Sequence, residues 1–148
     1  MFRSNFTDAE WDTIMFTPLW AFGLVAAADG KIEEAEAGAL AKEVAEAPLY
    51  KDDFAREVLS AIAAGLTTVM PAFAKDSRSA LEGLRAAADL LDAKMPGGAA
   101  NGFKMAVLNI CLQAARAAGP RFGDKVSQEE KGAVFMVAAT LRVPLPGV

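Results

Sequence analysis

"AAADGKIEEAEAGAL" (residues 26–40) decides how the rest of the chain is read. An alanine-rich run meets Asp29-Gly30, then Lys31-Ile32, then a glutamate-rich run. Alanine is the strongest helix former, and Asp-Gly interrupts a helix. Gly30 suits the positive φ of a tight turn, and Asp29 suits a local bond to its own backbone. Ile32 is a single apolar plug, and Glu33, Glu34 and Glu36 complement the positive start of a helix. The stretch reads helix, turn, helix.

The rest of the chain has the same pattern. Thr7 and Glu10 form a capping box, with Phe6 and Trp11 at the hydrophobic-staple positions. Pro18 is expected to kink or split the first helix, giving one piece to residue 17 and another over 18–28. Further helices are expected over 34–46, before Pro48, and over 53–64, with a break at Gly65 and a ragged continuation to Pro71. Ser79 and Glu82 make a second capping box, and Leu81, Leu84, Ala88 and Leu91 form an apolar stripe behind it. "MPGGAANG" (95–102) is a loop. A very apolar helix over 102–118, expected to be central, carries Phe103, Val107 and Ile110; the last helix spans 128–142, before Pro144. No stretch alternates with the period of a strand. The expectation is one all-α domain over residues 1–148, a compact bundle of six or seven helices.

Composition removes several classes of function. The 148 residues are 53% hydrophobic, and alanine makes up roughly a fifth of them, above ordinary usage. Mean hydropathy is +0.24 and the pI is about 4.9, with a formal net charge of −4. An acidic chain lacks the basic face that nucleic acid requires, so no nucleic-acid partner is expected. There is no histidine, which removes His-based catalysis and the usual zinc and copper sites. The single cysteine, Cys111, excludes an intrachain disulfide; lying between Ile110 and Leu112, it reads as an inert core residue. The apolar run 13–28 contains Pro18 and is shorter than the roughly 20 residues of a membrane span, so no span is expected. No nucleophile–base pair can be assembled, and no enzyme is expected.

The opening stretch has an echo. "GKIEEAEAGAL" (30–40) aligns without gaps to "DKVSQEEKGAV" (124–134), matching Lys31 to Lys125, Ile32 to Val126, Glu36 to Glu130 and Gly38 to Gly132. Each copy follows an alanine-rich helix and opens another, so the chain reads as two pseudo-repeated helix–turn–helix units. With Asp29, Gly30, Ile32 and Glu36 in place, "AAADGKIEEAE" resembles the signature of the TerB-like tellurite-resistance family. The resemblance implies an all-helical cytoplasmic domain, a stress-response setting, and acidic residues suspected of ion binding. The second copy departs from the pattern, because "AAGPRFGDKVS" (117–127) reverses Asp-Gly and inserts residues.

The same residues resemble half of an EF-hand loop, with Asp29, Gly30, Ile32 and Glu36 at its fifth, sixth, eighth and twelfth positions. Its first and third positions fall on Val25 and Ala27, which carry no oxygen. Calcium takes 6–8 oxygens, and this loop offers about five at best, so any divalent-cation site, for Ca²⁺ or Mg²⁺, is expected to be weak. The candidate ligands are Asp29, Glu33 and Glu36, with Glu130 as their counterpart in the second unit; a plain helix-starting turn explains the same residues. Two other roles stay open. The broad apolar helices leave room for a hydrophobic small molecule beside Phe16, Trp20 and Phe22, and the chain suits a homodimeric interaction module.

Overall fold

The structure, a computed structural model, describes residues 2–26, 34–95, 100–118 and 128–143. Among them are seven α-helices and no strand, the all-α bundle that the sequence implies.

The first helix, α1 (Asp8–Ala26), starts as its caps dictate. The Glu10 amide donates to the Thr7 hydroxyl (3.1 Å), and the Thr7 amide donates to the Glu10 carboxylate (2.8 Å). The backbone bond to Thr7 holds the Glu10 carboxyl below its usual range. Phe6 and Trp11 close the staple with ring centroids 5.9 Å apart.

Pro18 does not split this helix. It removes the amide that would bond the Ile14 carbonyl, a loss of about 3 kcal/mol. Leu19, Trp20 and Phe22 beyond it are all buried, and full burial of each such side chain is worth about 1.5–3 kcal/mol. Burial outweighs the missing bond. Thr17 braces the turn by donating its hydroxyl to the Thr13 carbonyl at 2.8 Å.

The second helix, α2 (Glu34–Ala45), gives way to a 3₁₀ turn (Ala47–Leu49) around Pro48. Asp52 caps α3 (Asp53–Ala64), accepting from the Ala55 amide at 2.8 Å. Gly65 then turns the chain by 93°. The segment after Gly65 is not ragged: α4 (Leu66–Lys75) is regular and runs past Pro71. The carbonyl that Pro71 leaves unpaired belongs to Thr67, an exposed residue that water can reach. The capping box of Ser79 and Glu82 starts α5 (Ala80–Lys94) with both bonds present. The chain closes with α6 (Asn101–Ala118) and α7 (Gln128–Leu141). Arg142 ends α7 at φ 63°. The Val143 amide there donates to the Ala138 carbonyl, and the Arg142 amide to the Ala139 carbonyl, the bond pair of a Schellman cap.

The helix directions are fixed by side-chain contacts. Lys94, at the end of α5, reaches Glu10 at 3.5 Å, near the start of α1, so these two run antiparallel. Phe103, at the start of α6, meets Phe54 at 5.2 Å, and Phe54 meets Phe6 at 6.1 Å and Trp11 at 6.4 Å, so α6 starts beside the start of α1. Arg142 joins Asp89 and Asp92 near the end of α5, and Lys104, early in α6, pairs with the same Asp92 at 3.2 Å. So α7 returns antiparallel to α6. α2 also descends towards the α6 start, because Glu43 meets mid-α6 at Asn109 (3.4 Å) before the chain reaches Asp52, beside Gly102. The core lies between α1 and α6, and α6 packs against α1, α2, α3 and α7, the central place its apolar sequence implies.

Candidate functional site

The acidic residues named as ion ligands divide between two places. Asp29 and Glu33 lie outside the described residues. Glu36 and Glu130 are each the third residue of their helix, α2 and α7, and their side chains lie outside the described part. The helix directions place the starts of α2 and α7 at one end of the bundle, where α1 and α6 finish. Among the described residues, no group of three or more acidic or cysteine side chains could hold a metal ion.

Cys111 sits in the core as its neighbours imply, with its thiol pushed up to about 12 by burial. At ordinary pH it remains a thiol rather than a nucleophilic thiolate.

The aromatic residues of α1 take two roles. Phe16 and Trp20 pack edge-to-face at 5.6 Å, and Phe73 of α4 closes on both at 5.4 and 6.0 Å. Arg78 lies 4.8 Å from the Trp20 ring centroid. Asp76 holds it there, accepting from the Arg78 Nε at 3.0 Å and from its Nη2 at 2.7 Å. That bond keeps the Asp76 carboxyl below its usual range. Phe22 does not join the stack. It turns with Trp20 towards an apolar trough, while Phe16 stays in the core.

The trough is built by the bend at Gly65. Turning α4 away from α3 leaves α4 to meet the core through Val69, Ala72 and Phe73, while Leu66 and Met70 stand exposed. Leu66 and Met70 are 44% and 43% exposed. They face α2 across a first lobe of about 360 Å³. Buried Leu19, Val44 and Ile62 form its floor, and the small exposed residues Ala41, Ala45 and Ala63 form its rim. A second lobe of about 270 Å³ has Trp20 and Phe22 as its floor, with Gly23 and Phe73 beside them. Leu19, Leu40 and Met70 line both lobes. Every lining side chain of the first lobe is apolar, and the second adds only the indole of Trp20, so the lining offers a polar ligand almost nothing to bond.

A polar cluster lies elsewhere, between α2, the 3₁₀ turn and α6. The Tyr50 hydroxyl donates to Glu43 at 2.8 Å, and the Asn109 amide lies 3.4 Å from both. Burial chiefly, with the Glu43 carboxylate beside it, pushes the phenol up to about 12. Its three members satisfy one another, and it ties α2 to α6.

Sequence reasoning found Trp20 and Phe22 but missed Leu66, Met70 and Gly23. The available signal was "LTTVMPAFA" (66–74), a helix-length apolar segment with no charge to mark an outer face. Among the described residues, no single helix is long and apolar enough to cross a membrane; α3 and α4 are so only as a pair, and the 93° bend separates them.

No family profile matches the chain, and no solved structure matches it. It is 28% identical over 147 residues to the uncharacterized protein ORF11' of Methanothermobacter thermautotrophicus, covering 92% of this chain and 89% of that protein.

Proposed function

We propose that this chain is a non-catalytic binding module whose working surface is the apolar trough between α1, α2 and α4. The observation that carries this is the first lobe. About 360 Å³ of space, lined only by apolar side chains, lies within the size range of small-molecule sites. Exposed Leu66 and Met70 stand at its edge. A histidine-free sequence and a buried, protonated Cys111 support a role without chemistry. The test is titration with the apolar dye anilinonaphthalene sulfonate. Saturable fluorescence is expected from the folded protein and not from Met70→Glu. Met70 is exposed and lines both lobes, so this substitution puts a charge where they adjoin without disturbing the core. Equal dye binding by both proteins would contradict the proposal.

A second role rests on the shared end of α2 and α7. Glu36 and Glu130 both sit in first helical turns at that end, and with Asp29 and Glu33 they would offer a divalent cation a weak oxygen site. This is the role that the resemblance to TerB-like tellurite-resistance proteins implies, in a cytoplasmic stress response. A cation that binds only the folded chain raises its melting temperature by mass action. Millimolar Ca²⁺ or Mg²⁺ is then expected to raise it for the native chain and not for Glu36→Gln. No shift with either ion leaves these residues as helix starts.

A further inference from the structure

Resting on the trough as a binding site, we infer that its ligand is a single unbranched acyl chain, diffusing free in water, laid along both lobes and past Met70, which lines both.

The first argument comes from α1. Gly23 lies inside a helix, where glycine is about 0.8–1 kcal/mol less favourable than alanine. A glycine in such a place is usually required by a close neighbour. Gly23 has none: a Cβ built there meets nothing within 4 Å. The space it leaves open is the second lobe. The helix thus carries a destabilising residue whose effect is to keep a void beside Trp20 and Phe22.

The second argument is shape. Two lobes of about 360 and 270 Å³ meet at Leu19, Leu40 and Met70. A partner helix, about 10–12 Å across, does not fit into lobes of this volume. A flexible hydrocarbon chain does, and methionine, unbranched and adaptable, suits a side chain that must yield to it.

The third argument is chemistry. A compact ligand with polar groups along its length would leave them unpaired against this lining, at a cost of about 1–3 kcal/mol each. An acyl chain has its only polar group at one end, which stays in water at the open rim. The net charge of −4 also favours a dissolved chain over one drawn from an anionic bilayer surface.

The test is calorimetric titration of the whole protein with octanoate and with hexadecanoate, the latter below its micelle concentration, on the native chain and on Gly23→Leu. For the native chain, affinity is expected to rise with chain length, by about fourfold for each methylene fully buried. Gly23→Leu narrows the second lobe. Its melting temperature without ligand is expected to rise by roughly 2–4 °C, the effect of a better helix former. It is expected to lose the gain in affinity that the longer chain gives the native protein. A more stable protein with a shortened ligand preference is an outcome that damage to the fold cannot produce. Length-independent binding, or an undiminished gain in Gly23→Leu, would overturn the acyl-chain inference and leave the trough a site for a different apolar ligand. Absence of binding by the dye and by both acids would overturn the trough itself.

Discussion

Gly83 has no side chain because Trp20 occupies the space that one would need. A Cβ at Gly83 would lie 2.3 Å from the indole ring, and buried Trp20 is held from its other sides by Phe16, Phe73 and Arg78. The close approach of α5 to α1 depends on that missing atom. Gly83→Ala is therefore expected to destabilise the fold by about 1–3 kcal/mol, because overpacking outweighs alanine's better helix propensity. Urea unfolding, read as a lower midpoint at unchanged slope, checks this. Gly23 is the opposite case: the same residue type on α1, with open space where Gly83 has a ring. Sequence alone cannot separate the two, since both are lone glycines within apolar helical stretches and only the neighbours differ.

Among the helices, starts were more legible than continuations. Thr7 with Glu10, and Ser79 with Glu82, are local signals complete within four residues, and both boxes form. Pro18 and Pro71 are local signals too, yet both helices run through them, because burial after Pro18 and solvent access at Thr67 are tertiary facts. The 93° bend at Gly65, which opens the trough, belongs to the same class. A further tertiary fact is the tie between α5, α6 and α7. Asp92 accepts from Arg142 and from Lys104, and these bonds, the Arg142 bond foremost, hold its carboxyl below the usual range. A carboxyl depressed in the folded state stabilises fully above its unfolded pKa of about 4, and that contribution is lost as pH falls through the folded value. Acid unfolding of Asp92→Asn is thus expected to show a shallower fall in stability below about pH 4 than the native chain. Parallel curves would show that Asp92 contributes nothing to the acid limb.

For the whole molecule, composition and periodicity were enough for the class of fold, since an alanine-rich chain without strand alternation and with two clean capping boxes has few alternatives. The echo between residues 30–40 and 124–134 leads into α2 and α7, and both of these helices pack against α6. The trough was only half legible: Trp20 and Phe22 were visible as a neighbouring aromatic pair, but Leu66 and Met70 join them only after the chain bends. Trp20 also offers the most direct test of the site, because it floors the second lobe, while Trp11 lies at the opposite end of α1 against Phe6 and Phe54. The measurement is quenching of tryptophan fluorescence by a long acyl chain brominated near its middle, comparing Trp11→Phe, which reports Trp20, with Trp20→Phe, which reports Trp11. Saturable quenching of Trp20 with Trp11 left bright is the expected result. Equal quenching of both, or none up to the solubility of the chain, would contradict a binding site in the trough.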